Sequence, residues 1–202
     1  MATLSEAKIA SLLTPYTPNL SDPPSESTLL QLSTYLDLLL KWNARTNLTA
    51  IRDPEEIVRR HFGESLFAGQ HIPPETRTLL DFGSGAGFPG LPIQLLRPEI
   101  TVTLAESQNK KATFLREVVR TLGLKTEVWA ARVEDMAPER RFEVVTMRAV
   151  DNMDAALVAA KVRIAPGGQL AILTTAQQAP GAGRLVPLPN SESGVLSLQT
   201  SL

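Results

Sequence analysis

The sequence predicts an α/β protein, a doubly wound and mostly parallel sheet preceded by a helical N-terminal extension. Three observations carry this reading. From residue 78 onward strand-like and helix-like segments alternate, the pattern of a parallel sheet covered by helices on both faces. Over residues 1–72, apolar positions recur at helical spacing instead. Between the first strand and the next helix lies a turn with glycine at every second place, Gly83-Ser84-Gly85-Ala86-Gly87.

In chain order, Leu4, Ala7, Ile9, Leu12 and Leu13 give a short first helix, ended by Pro15 and Pro18, and the Pro- and Ser-rich stretch 19–25 is a linker. The second helix is capped by Ser25 or Ser27, with Glu26 in its first turn. It carries Leu29, Leu32, Leu36, Leu39 and Leu40 on one stripe up to Lys41-Trp42. Asp53-Pro54 opens a third helix, because Asp caps well and Pro suits the first helical position; Ile57, Val58, His61 and Phe62 belong to it. A boundary near residue 72 separates this extension, 1–72, from an α/β domain, 73–202. Strands are expected at 78–82, 101–106, 127–131, 142–147 and 168–173, with helices at 89–97, 109–122 and 152–164. A loop at 179–183 then leads to a terminal hairpin of 184–188 and 195–200.

Composition excludes several functions. Among 202 residues there is no Cys and there are two His, so disulfides, thiolate metal sites and a Cys nucleophile are ruled out, and a zinc site is not expected. The N-terminus lacks a basic region followed by an apolar run, and no uncharged apolar stretch approaches the ~18 residues of a membrane span. A cytoplasmic protein without membrane contact is expected. At a net charge of −1, a nucleic-acid partner must be met by a local basic patch rather than by the whole-molecule field.

The glycine turn is the most informative segment. Glycines there allow positive φ and let a ligand approach main-chain N–H groups at a helix N-terminus, which implies a nucleotide-derived ligand. Read as Gly85-x-Gly87-x-x-Gly90 it also meets the dinucleotide fingerprint, with Glu106 placed as a ribose-binding carboxylate. Too little chain follows for a second mononucleotide half, however. Asp81, two residues before the first glycine, would oppose a pyrophosphate but suits a cationic amino-acid moiety such as that of S-adenosylmethionine. The pattern Asp-x-Gly-x-Gly-x-Gly followed by an acidic strand end resembles the doubly wound S-adenosylmethionine-dependent methyltransferases.

Further motifs narrow the resemblance. Lys41-Trp42-Asn43-Ala44-Arg45-Thr46-Asn47-Leu48-Thr49-Ala50-Ile51 and Arg60-His61-Phe62-Gly63-Glu64-Ser65-Leu66 come first. Asp81 to Pro92, Ser107-x-x-Lys110-Lys111-x-x-Phe114-Leu115 and Met147-Arg148-Ala149-Val150 follow in order. Together they resemble the bacterial 16S ribosomal RNA guanine-N7 methyltransferases, the RsmG or GidB family. That resemblance implies S-adenosylmethionine as cofactor, cradled by Gly83, Gly85 and Gly87 and contacted by Phe88, Val133, Glu134 and Arg148, with Glu106 on the ribose. Its partner would be 16S ribosomal RNA or the small ribosomal subunit, met by a monomer. Two positions depart from the family pattern: Glu64 stands for Asp, and Thr174-Thr175 stands for Lys-Gly after the last core strand.

The implied chemistry asks little of side chains. Guanine N7 has an in-plane lone pair and no proton, so no general base and no catalytic acid is assigned, nor any metal. Orientation supplies most of the acceleration, holding nucleophile and methyl at about 3–3.5 Å. An unstacked guanine needs donors to O6, a carboxylate for N1–H and N2–H and a flat neighbour, for which Asn47, Arg60, His61, Glu64 and Arg148 are of the right kind. His61 reads equally as a hydrogen-bonded structural residue, Asn47 as a turn cap and Phe88 as a hydrophobic staple. Lys110 and Lys111 sit in a helix's first turn, where the macrodipole disfavours cations, which points to RNA; a solvated amphipathic face is the alternative. A small-molecule or protein acceptor, or a cofactor-binding protein of weak activity, remains open at this point.

Overall fold

The structure, a computed structural model, describes every residue except 1, 19, 21, 22, 150, 151, 182 and 202. Parts of the expected 19–25 linker and 179–183 loop, and Val150 at the end of one motif, lie outside the described residues.

Helix α1 (Glu6–Leu13) starts at Ser5, whose hydroxyl accepts from the Lys8 amide at 3.2 Å, and runs into a 3₁₀ turn, Thr14–Tyr16, that begins around Pro15. Of the two possible caps for α2 (Glu26–Thr46), Ser25 is the one used, accepting from Thr28 N at 3.1 Å. This helix continues past Trp42 because its terminator is Asn47, which takes the left-handed conformation, φ 46°, that ends helices. Asp53 caps α3 (Pro54–Glu56), and a π-wound stretch, Ile57–Gly63, carries the chain without a break into α4 (Glu64–Gly69). The third helix expected from the sequence is thus present but unevenly wound.

Among the described residues seven strands form one sheet: β1 (Thr78–Phe82), β2 (Thr101–Ala105), β3 (Glu127–Trp129), β4 (Phe142–Arg148), β5 (Ile164–Thr175), β6 (Arg184–Pro187) and β7 (Gly194–Thr200). Their order is β3-β2-β1-β4-β5-β7-β6, with β1 to β5 parallel and β7 antiparallel to both its neighbours. Strand order therefore reverses between β1 and β4, the place where doubly wound sheets open a crevice at their carboxyl ends. Between the strands lie α5 (Gly90–Leu96), α6 (Asn109–Thr121) and α7 (Met153–Lys161). Strand β5 starts earlier than expected and α7 stops sooner, because the Arg163 carbonyl already accepts from Phe142 N at 2.7 Å; the pairing with β4 then shifts register between Phe142 and Val144.

Alternate side chains of the strands feed two cores. Leu79, Val102, Leu104 and Val144 pack under α1, α2, α5 and α6, together with Tyr35 and Phe62. Leu80, Val145 and Met147 face Ala156 and Ala160 of α7. A third cluster joins Tyr16 and Phe67 to the terminal hairpin through Leu188, Leu196 and Leu198. Among the described residues no helix is long and apolar enough to cross a membrane.

Candidate functional site

A cavity of about 720 Å³ opens at the carboxyl ends of β1, β2 and β4. One wall is the glycine loop. Gly85 has φ +57° and an added Cβ would meet only Gly83 O at 3.9 Å, so the demand there is conformational and the space before it is open. Gly87 differs: at φ +94° a Cβ would stand 2.5 Å from Leu91 Cδ1 and 2.6 Å from Tyr35 Oη, so this glycine permits close packing behind the loop. The Tyr35 hydroxyl donates to the Ala86 carbonyl, pinning the loop to α2. At the end of β2, Glu106 accepts from Gly85 N at 3.0 Å and from Gln108 N at 2.7 Å. Phe88, joined to Pro89 by a cis peptide, lines the same cavity.

Behind the loop sits Asp81, fully buried, accepting from Gly90 N at 3.1 Å and from the Thr146 hydroxyl at 2.9 Å. Burial raises its pKa to about 6, against the opposing pull of these hydrogen bonds. The expected contact between Asp81 and a cationic ligand is not what its position provides. Its carboxylate does not line the cavity and instead fixes the start of α5.

The opposite wall comes from the N-terminal helices. Asn43, buried near the end of α2, clamps the following turn: its Nδ2 donates to Thr49 O at 3.1 Å and its Oδ1 accepts from Thr49 N at 3.0 Å. Thr49 Oγ1 in turn lies 2.7 Å from His61 Nε2. The imidazole stacks on Phe88 with centroids 4.7 Å apart, and Phe88 on Tyr35 at 5.4 Å. Burial, helped by the charges of Arg148 and Arg60, pushes the His61 pKa down to about 3, so the ring is neutral.

Arg148, at the end of β4, joins this cavity to a second one of about 470 Å³; Ala149 also lines both. Ala149 holds φ 49°, a left-handed conformation costly for a residue with a Cβ. Glu64, buried, accepts from Arg148 Nη2 at 2.8 Å and from Arg60 Nε at 2.7 Å. Arg148 Nη1 and His61 Nδ1 are buried without a hydrogen-bond partner among the described residues. Desolvation lowers the Arg148 pKa and the Glu64 charge counters it.

The expected residues are thus sorted. Gly83, Gly85, Phe88, Glu106, Val133, Glu134, His61, Lys111 and Arg148 all line the first cavity, while Arg60, Glu64 and Thr174-Thr175 line the second with Arg148. Gly87 and Asp81 support the loop from behind. Asn47 stands outside both cavities as the terminator of α2, accepting from Arg52 Nη2 at 3.1 Å. Lys110 points to solvent, unlike its neighbour Lys111. Sequence reading passed over Asn43 and Thr49, yet a signal existed: Asn43 continues the buried stripe Leu32, Leu36, Leu39 at helical spacing, where a polar residue needs partners.

Fold and site together define a class: doubly wound α/β proteins with a glycine-loop cavity at the carboxyl ends of their strands. The family model described as rRNA small subunit methyltransferase G, GidB, matches residues 28–182, and the chain belongs to that family. It is 42% identical over 137 residues to the ribosomal RNA small subunit methyltransferase G of Xanthomonas campestris, a match covering 67% of this chain and 64% of that protein. To the protein of the same name from Chloroflexus aggregans it is 41% identical over 153 residues, 73% of this chain and 64% of the relative. The match therefore spans just under two thirds of these relatives' length. A SAM-dependent methyltransferase from Aquifex aeolicus shares the fold, with a TM-score of 0.59 at 18% identity over 76% of this chain and 97% of that one.

Proposed function

We propose that the protein transfers a methyl group from S-adenosylmethionine to N7 of a guanine in 16S ribosomal RNA, as a cytoplasmic monomer. In this reading the helices of 1–72 form an extension on a methyltransferase domain, 73–202. The observation that carries it is the 720 Å³ cavity lined by Gly83, Gly85 and Glu106 in a chain of this family. The lining fits the cofactor. Open space in front of Gly85 would admit the methionine part, Glu106 has lone pairs beyond its two amide bonds that would receive the ribose hydroxyls, and Val133 and Glu134 would hold the adenine. When bound, S-adenosylmethionine supplies an electrophilic methyl on a sulfonium.

The chain's own residues supply orientation. Phe88 and His61 line the cavity with stacked rings, and the Glu64–Arg148 pair fixes a guanidinium at the junction with the second cavity. With its pKa pushed down to about 3, the His61 ring is a weak proton acceptor, and N7 attack requires no base. The test is 7-methylguanosine formation on small ribosomal subunits from a strain lacking this modification, read by nucleoside mass spectrometry. The expected result is one new methylated guanosine in 16S RNA; saturable S-adenosylmethionine binding with no methylated guanosine would overturn the acceptor assignment.

A further inference from the structure

The half-buried side chains Thr49 and His61 on the N-terminal wall have an unequal hydrogen-bond count. Thr49 Oγ1 accepts from Ile51 N at 3.2 Å and lies 2.7 Å from His61 Nε2, and its own proton has no other acceptor among the described residues. If Nε2 carried the ring proton, that hydroxyl proton and the Nδ1 lone pair would both be stranded. If the hydroxyl donates to Nε2, the ring proton sits on Nδ1 and a single buried donor is left over. Leaving fewer buried polar groups unpaired selects the second arrangement. Asn43 holds the Thr49 amide and carbonyl, and the Ile51 amide already donates to its hydroxyl oxygen.

Two donors are then left buried without a partner among the described residues, His61 Nδ1–H and Arg148 Nη1–H, on side chains that both line the first cavity. At its N7 edge guanine offers two acceptors, N7 and O6, whereas adenine replaces O6 by an amino donor. N7 must stay free to attack. We infer that Thr49 is a positioning residue that holds His61 as the Nδ1–H tautomer, so that His61 and Arg148 present donors to the O6 carbonyl of the acceptor guanine. This rests on the guanine-N7 reading above. A neutral donor is suited to the task, since it binds O6 without offering a proton to the neighbouring N7.

The test exploits the chain's having only two histidines, His61 and His71, which makes imidazole ¹⁵N spectra simple to assign. The wild type is expected to show His61 with a protonated Nδ1 and an unprotonated Nε2. In Thr49→Val the tautomers mix, and kcat/KM on small subunits falls roughly tenfold, the worth of one hydrogen bond, with cofactor affinity unchanged. Thr49→Ser restores both spectrum and rate. His61→Asn, whose amide nitrogen stands in for Nδ1–H, retains more activity than His61→Gln. A wild-type spectrum with protonated Nε2 overturns the tautomer. Loss of S-adenosylmethionine affinity in Thr49→Val, equal to the loss in rate, overturns the assignment to the base in favour of the cofactor. A wild type that binds cofactor and methylates no guanosine breaks the functional reading, while the tautomer is decided by the spectrum alone.

Discussion

The two walls of the cavity are built by different means. The glycine wall is shaped by backbone: positive φ at Gly83, Gly85 and Gly87, with the Gly85 amide turned onto Glu106. The helical wall is shaped by side chains reaching across the chain, from Asn43 to Thr49, Thr49 to His61, and Glu64 to Arg148 over 84 residues of sequence. A backbone wall fails when a Cβ is added, and a side-chain wall when a partner is removed. The first failure is steric and the second electrostatic, so the two respond to different perturbations.

The largest effect is expected at the glycine wall. Gly87→Val forces Cβ into Leu91 and Tyr35 at a left-handed backbone and should cost about 3–5 kcal/mol in urea unfolding. Gly85→Ala, with open space around it, should cost only the strain, about 1–2 kcal/mol. Equal losses would mean that conformation alone, and not packing against α2, governs the loop.

Next comes the ion pair. Arg148→Ala leaves Glu64 buried with only the half-exposed Arg60, and should destabilise by about 2–4 kcal/mol. Adding Glu64→Gln removes the stranded charge and should recover part of that loss, so the double variant is more stable than the sum of single effects predicts. Simple additivity would show that the pair does not hold the wall.

A pH series sharpens the comparison, since the walls carry buried groups of opposite sign. His61, lowered from 6.5 to about 3, contributes stability that is full above pH 6.5 and is lost as pH falls toward 3. Asp81, raised from 3.8 to about 6, contributes stability that is present below pH 3.8 and lost as pH rises through 6. Between about pH 4 and 6 the two slopes oppose. His61→Phe removes one of them, so its stability relative to wild type should improve on acidification by about 1 kcal/mol per pH unit. No change in that difference between pH 6.5 and 4 would show that His61 protonates freely in the folded chain.

The smallest effect separates two adjacent lysines. Lys111→Ala, at the cavity, should weaken S-adenosylmethionine binding a few-fold by calorimetry, while Lys110→Ala, exposed, leaves it unchanged and lowers only the salt dependence of RNA binding. Indistinguishable cofactor affinities would place Lys111 outside the ligand's reach.

The same contrast explains what was legible in the sequence. Alternating strands and helices, the loop glycines and the terminal hairpin follow from local rules of backbone conformation, so they could be read within a few residues. The place of Glu106 at the cavity was legible because its spacing from the loop is set by one βα unit. Asp81 was misassigned because a carboxylate's charge is visible in sequence while its burial beneath Gly90 depends on α5 docking. Asn43 left a trace in the buried stripe of α2, but the turn it clamps, like the divergence of Lys110 and Lys111, depends on how each helix is set against its neighbours.

The π-wound stretch Ile57–Gly63 gives the helical wall an unusual kind of information storage. Wider winding accommodates extra chain without a break, and such stretches recur at functional places. Here it sets the angular separation of Arg60 and His61 from Glu64 on what is otherwise one continuous helix. Deleting Gly63 would keep the Arg60, His61 and Glu64 side chains and still rotate the first two relative to the third. The arrangement is inherited as a length as much as a set of residues.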